Sequence, residues 1–251
     1  MNVSNQTVDL EMPHGYSMPA ASPIFTPPPY HYERNRQVTI LFKTTADVVG
    51  RFVPAPLQPN PQQLIALYYS ALFMTKPIEM PYREVGLFVP VSYKGIPGLF
   101  FVFMYLDSVP GVVGGREIWG FPKKEAAISF VEQDGKVSTE VTRMGCPIIR
   151  ATFTVQEKVE TIPPSPFRAF YNLKVIPSIK RNARPDVLQL TSTPVVRESK
   201  EMHSGTGVLE LRNSPSDKLG EIPVQAIANS QFEIYDMILD CGEVALDYLK
   251  Q

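Results

Sequence analysis

The placement of proline constrains this chain more than any other feature. Prolines cluster at Pro23–Pro29, Pro54–Pro61 and Pro163–Pro166. Each cluster fixes φ and removes backbone donors, so long helices are excluded over most of the sequence. At 25 residues, proline stands at about twice its usual share of roughly 5%. A chain cut into short extended pieces must find its backbone partners between strands.

The strand candidates follow. Gln37 to Lys43 is rich in β-formers, and Thr44 or Thr45 is a plausible N-cap for a short helix through Phe52, ended by Pro54. Leu64 to Met74 is apolar and too short to assign between helix and strand. Gly86 to Tyr93 and Leu99 to Leu106 are apolar runs around Lys94–Gly98 and read as a buried hairpin. Lys136 to Met144 alternates with period two, and Ile149 to Val155 returns from a turn at Gly145–Pro147. Asp186 to Val196, Gly207 to Leu211 and Phe232 to Leu239 are further strands, and Glu243 to Leu249 reads as a short terminal helix. Residues 1–22 are polar and aperiodic, a flexible arm that orders only against a partner; residues 23–251 show no linker or repeat and form one domain. The fold expected is mainly β (α+β): an antiparallel sheet closed into a barrel, with a few short peripheral helices.

Composition excludes several classes. Hydrophobic content of 44% and a net charge of −1 give no basic excess for nucleic acid or an anionic membrane. His14, His31 and His203 lack metal-ligand spacing, so no metal site is expected. Cys146 and Cys241 make no disulfide framework. No apolar run approaches a membrane span, and the N-terminus has neither the basic region nor the unbroken apolar stretch of a signal peptide. These features together point to a reduced, cytoplasmic protein.

The chemistry concentrates in Gly114-Gly115-Arg116-Glu117-Ile118-Trp119-Gly120-Phe121-Pro122-Lys123-Lys124. Two lysines follow an apolar run that holds the only Trp of the chain. A lysine that attacks a carbonyl must first lose its proton, and apolar surroundings or a second cation favour that loss. Holding a lysine half-neutral near pH 6, against its ordinary value of about 10.4, takes roughly 6 kcal/mol. A like charge about 7 Å away supplies only about 2.4 kcal/mol at an effective dielectric of about 20. Adjacent residues of an extended chain point to opposite faces, which turns Lys124 away from the pocket of Lys123. Desolvation must therefore be the larger contribution.

That block resembles the signature of the acetoacetate decarboxylase family, Gly-Arg-Glu followed by Pro-Lys-Lys. Further segments match in order: Lys43–Leu57 with its Val53-Pro54-Ala55-Pro56-Leu57 turn, Glu84-Val85-Gly86, Val89–Tyr93, Met104–Asp107 and Glu243–Lys250. The resemblance runs from about Pro23 to the C-terminus. It implies a cone-shaped β-barrel in a homo-oligomer, with no external cofactor and a small keto acid as substrate. It also implies Lys123 as the Schiff-base lysine, Lys124 as its cationic neighbour and Glu84 as an active-site carboxylate. Trp119, Phe121 and Met104 are candidate walls. Arg116 and Glu117 read as a structural ion pair.

Two departures from the family pattern stand out. The family's second active-site glutamate has no counterpart in Leu64–Leu72, where Leu67, Tyr68 or Tyr69 takes its position; Glu79 and Glu11 are possible compensations. The family's substrate-site arginine aligns with Asn35, flanked by Arg34 and Arg36, and a one-residue bulge would bring Arg36 into register. A pocket with one acid fewer suits a larger, more apolar keto acid. The resemblance thus implies a β-keto acid decarboxylase. The alternatives are an aldolase-dehydratase acting on pyruvate and an aldehyde, and a barrel that binds a carbonyl ligand without turnover.

Overall fold

The computed structural model describes residues 16–250. Fourteen strands join one sheet. The chain runs β1 (Tyr30–Lys43), helix α1 (Ala46–Phe52), β2 (Gln58–Pro59), β3 (Leu64–Lys76), β4 (Met80–Tyr93) and β5 (Ile96–Leu106). Helix α2 (Val109–Gly114) leads into a π-helical turn at Gly115–Trp119 and then β6 (Lys123–Glu125). There follow β7 (Ala127–Gln133), β8 (Lys136–Arg143), β9 (Cys146–Lys158), β10 (Ala169–Ile176) and β11 (Val187–Pro194). The last strands are β12 (Val196–Leu211), β13 (Ala226–Leu239) and β14 (Glu243–Asp247). No helix among the described residues is long and apolar enough to cross a membrane.

The sheet order is β14-β11-β10-β5-β4-β3-β1-β13-β12-β9-β8-β7, with β2 beside β4 and β6 beside β5. Most neighbours are antiparallel; β5 pairs in parallel with both β10 and β6. The mainly β expectation holds, but a closed barrel is not found. β7 and β14 end the order without pairing to each other, so no hydrogen-bond ladder completes a ring. The sheet curls instead, and side chains seal one seam: Phe130 of β7 packs edge-on against Tyr69 of β3 at 6.0 Å.

Local chemistry accounts for the elements. Thr45 caps α1, its Oγ1 accepting from the Val48 N–H at 3.4 Å. The Leu64–Met74 run is strand β3, paired on both sides with β1 and β4. Glu243–Leu249 is not a helix. Its first five residues form β14 on the open edge of β11, because a seven-residue segment gains more from an existing ladder than from nucleating its own turn. Residues 1–15 of the expected N-terminal arm, Glu11 and His14 among them, lie outside the described residues. Residues 16–22 form bends and turns, and Tyr16 packs edge-on to Phe25 at 5.8 Å.

Alternation along the strands separates two apolar faces. One carries the larger core, including Val38, Ile40, Phe42, Leu67, Tyr69 and Leu87. The other carries Tyr68, Leu72, Phe88, Phe101, Met104 and Trp119. Fully burying one such side chain stabilises the fold by about 1.5–3 kcal/mol. Two irregularities tune the second face. A register shift between Tyr32 and Asn35 in β1 and another opposite Leu87/Phe88 in β5 each change the alternation. Tyr32 and Gln37, five residues apart, consequently face the same side, as do Phe101 and Met104, three apart.

Candidate active site

Lys123 projects onto the second face. β6 is only three residues long and pairs in parallel with β5, setting Lys123 opposite Met104 and Lys124 opposite Tyr105. The approach is shaped by Gly115, in the π-helical turn just before. A Cβ built there would lie 2.5 Å from Lys123 Cδ and 2.8 Å from Cε, so the lysine stem runs over bare backbone. The Arg116 guanidinium donates to the Lys123 carbonyl at 3.2 Å and ties the turn to β6. Arg116 does not pair with Glu117, and the ion pair expected between them is absent among the described residues.

The Lys123 side chain is 6% exposed, and its Nζ lies 3.0 Å from Glu84 Oε2. The approach is not aligned as a hydrogen bond, and Glu84 Oε2 has no hydrogen-bond partner. Its other oxygen, Oε1, accepts from the Tyr68 hydroxyl at 2.9 Å. Tyr68 reaches that position because residue 86 is glycine: a Cβ there would sit 2.8 Å from the Tyr68 ring and hydroxyl. Burial, and then the Glu84 carboxylate, push the Tyr68 phenol well above its ordinary range. Tyr82 is raised by burial and by its hydroxyl neighbour Tyr32, 3.0 Å away. On the apolar side, Lys123 Nζ lies 5.2 Å from the centroid of the Phe121 ring.

These groups line a cavity with about 570 Å³ of unfilled space, part of it open to solvent. A second cavity meets the first at Lys123, Tyr32, Tyr82 and Leu239, and Trp119 lines that second one. The Trp119 indole donates to the Asp240 carbonyl at 2.8 Å, holding the turn against the end of β13.

Lys124 points the other way. Its Nζ lies 2.6 Å from Asp217 Oδ1, and Asp217 also receives Arg143 at 2.8 Å and the Tyr105 hydroxyl at 2.8 Å. Burial pushes the Asp217 carboxyl up, but hydrogen bonds from Lys124, Tyr105 and Ser216 outweigh it and hold the group well below the usual carboxylate range. The positive charge expected beside Lys123 is therefore both averted and matched by an anion.

The cavity's guanidinium is Arg197 of β12. It pairs with Glu233 through Nε at 3.3 Å and Nη2 at 2.5 Å, and its planar head stacks 3.3 Å from the Tyr235 ring centroid. Tyr235 in turn donates to Gln37 Oε1 at 3.1 Å. Burial pushes the Tyr235 phenol up to about 12, against the pull of the Arg197 charge.

The structure thus brings together Lys123, Glu84, Phe121 and Met104 of the expected residues, with Trp119 in the adjoining cavity. It does not bring Arg34, Arg36 or Tyr69. The bulge in β1 is present, but it places Gln37 on the cavity face. Arg36 lies on the opposite face, paired with Glu132 and stacked on Phe232. Arg34 takes the bulge's left-handed conformation, φ 52°, and is exposed. Tyr69 points into the main core and donates to the Val137 carbonyl at 2.6 Å, so Tyr68 is the tyrosine at the cavity. Glu79 is exposed and lies outside the cavity. Arg197 and Tyr235 were not legible as site residues. They come from the long polar strand β12 and its partner, with no local motif around them.

A family model described as acetoacetate decarboxylase matches residues 12–249. An acetoacetate decarboxylase of Paraburkholderia phytofirmans is 32% identical over 95% of this chain and 94% of its own length. Among solved structures, acetoacetate decarboxylase from Legionella pneumophila superposes with a TM-score of 0.82 at 26% identity, covering 93% of this chain and 94% of that one. The enduracididine biosynthesis enzyme MppR complexed with pyruvate gives a TM-score of 0.80 at 20% identity, covering 93% and 98%, a likeness of fold.

Proposed function

The chain belongs to the acetoacetate decarboxylase family, and we propose that it decarboxylates a β-keto acid through an imine on Lys123. One observation carries the reading: a buried lysine amine on a cavity rich in aromatic side chains, with a carboxylate 3.0 Å away and a guanidinium on the same lining.

The chemistry follows from that grouping. Glu84 Oε2 has no hydrogen-bond partner and is placed to take the proton that the ammonium must lose. The freed amine attacks the β-carbonyl and expels water, leaving a protonated imine. The bond from the α-carbon to the carboxylate then breaks, carbon dioxide leaves, and the electron pair moves onto the imine nitrogen as an enamine. A proton returned to the α-carbon by Glu84 restores an imine, and water hydrolyses it to the ketone and free Lys123. Tyr68 keeps its proton and fixes the carboxylate through one oxygen only.

Arg197 takes the part first assigned to Arg34 or Arg36. Glu233 occupies two of its roughly five N–H donors, leaving others for a substrate carboxylate. The buried Glu233 behind it fixes the fork in place. Lys124 acts through position, anchoring β6 from behind by its bond to Asp217.

Reduction with borohydride in the presence of acetoacetate tests the reading. A stable mass added at Lys123, with carbon dioxide released in the unreduced reaction, is the expected result. Trapping by pyruvate alone, without carbon dioxide, would instead indicate aldol chemistry, and no adduct at Lys123 would remove the imine altogether.

A further inference from the structure

The cavity is uneven from end to end. Around the central Lys123, Glu84 and tyrosine hydroxyls the lining differs by side: Gln37 and Arg197 come from β1 and β12. In sheet order, β4, β5 and β10 lie on the far side of β3 from these strands, and they supply Phe88, Leu99, Phe101 and Phe170. The aromatic set is continuous from the amine outward. Phe121 meets Lys123 Nζ at 5.2 Å, and Phe101 meets Phe121 at 5.3 Å. Phe101 then touches Phe170 at 5.4 Å and Phe88 at 5.9 Å, edge to face. Leu99 and Phe170 pair across the parallel β5–β10 ladder and are only partly buried, so this end of the wall reaches solvent. From Met104 beside Lys123 to Leu99 the strand spans about 16 Å.

A β-keto acid bound at Lys123 with its carboxylate toward Arg197 can lay its other substituent against this wall, on the far side of β3 from Arg197. When that substituent is a methyl group it covers little of the aromatic surface. Building on the imine reading above, we infer that the substrate carries an apolar substituent larger than methyl on its keto carbon, from propyl to phenyl in size. Phe101, Phe88, Phe170 and Leu99 are the residues that select it. Each additional buried methylene favours the bound state by about fourfold, and a phenyl ring gains further from edge-to-face contact with its neighbours.

The test compares kcat/KM for decarboxylation of 3-oxobutanoate, 3-oxohexanoate and 3-oxo-3-phenylpropanoate. The two larger acids are expected to exceed 3-oxobutanoate by about tenfold or more. Leu99→Trp, at the partly exposed end of the wall, is expected to lower the larger acids at least fivefold more than the smaller one. Equal or reversed preference, with Leu99→Trp altering all three alike, would overturn the inference while leaving the imine reading in place. If none of the acids turns over and no adduct forms at Lys123, the imine reading fails, and ketone binding then decides the inference separately. Quenching of Trp119, the only tryptophan of the wild-type chain, reports that binding. Tighter binding of 2-pentanone and acetophenone than of acetone would uphold the apolar selection, and equal binding would reject it.

Discussion

Lys123 and Lys124 are neighbours in sequence and face opposite sides of one sheet, each against a buried carboxylate: Glu84 at 3.0 Å and Asp217 at 2.6 Å. The two adjacent lysine side chains are kept from meeting, and each carboxylate serves one of them. On the proposed mechanism the pair divides into a reacting group and an anchor.

This division predicts different outcomes for the two lysines. Lys123→Met combined with Glu84→Gln, which avoids a stranded buried charge, is expected to abolish both turnover and borohydride adduct while leaving the fold intact, since Met fills the same apolar space. Lys124→Met should keep the adduct and lower stability by about 1–3 kcal/mol, because Asp217 loses its closest cation. Mass spectrometry of trapped protein and urea unfolding separate the two.

Gly115→Ala should cost activity more than stability. The added methyl falls 2.5 Å from the Lys123 stem and must displace it. A displacement of about 1 Å at a reacting group is worth roughly 100-fold in rate. The expected result is a drop of that order in kcat and in the rate of adduct formation, with a Tm lowered by only a few degrees.

Arg197 and Arg36 make a direct contrast. Arg197→Met combined with Glu233→Gln, which avoids a stranded buried charge, should lower kcat/KM by about 10- to 100-fold, the worth of a charged hydrogen bond. Arg36→Ala should change it less than threefold, since its guanidinium is engaged by Glu132 on the other face. Steady-state decarboxylation kinetics of both variants settle the assignment.

The pH dependence of stability is carried in part by Asp217. Its folded value lies below the ordinary carboxylate value, so the folded state favours the charged form. The stability it contributes is complete above about pH 4, the unfolded value, and is lost as pH falls through the folded value. Asp217→Asn should be less stable than the wild type at pH 7 by about 3 kcal/mol. The gap should narrow as acid unfolding is followed below about pH 4.

Much of the candidate site could be read from the chain because it is local. The eleven residues from Gly114 to Lys124 contain the turn, the bare backbone at Gly115, the ring of Phe121 and the lysine itself. The alternation of an extended chain sufficed to send Lys124 to the far side. What could not be read depended on long-range register. Whether Arg36 or Gln37 faces the cavity is decided by how β1 meets β3 and β13, and the choice between Tyr68 and Tyr69 by the same pairing. Arg197 could not be found at all without knowing that β12 lies beside β13. The terminal segment misled for a related reason: Glu243–Asp247 is a strand only because β11 offers an open edge.

The distance in sequence between Lys123 and Arg197 has a consequence for how such proteins diversify. On the proposed reading, the nucleophile and the gripping hand for the acid group sit on separate stretches of chain, joined only by the folded sheet. Changes in the last third of the sequence can move the grip from one strand to another while the reactive turn stays untouched. A relative that lacks an arginine where its kin carry one has therefore not lost its substrate by that fact alone, and the replacement is to be sought across the chamber.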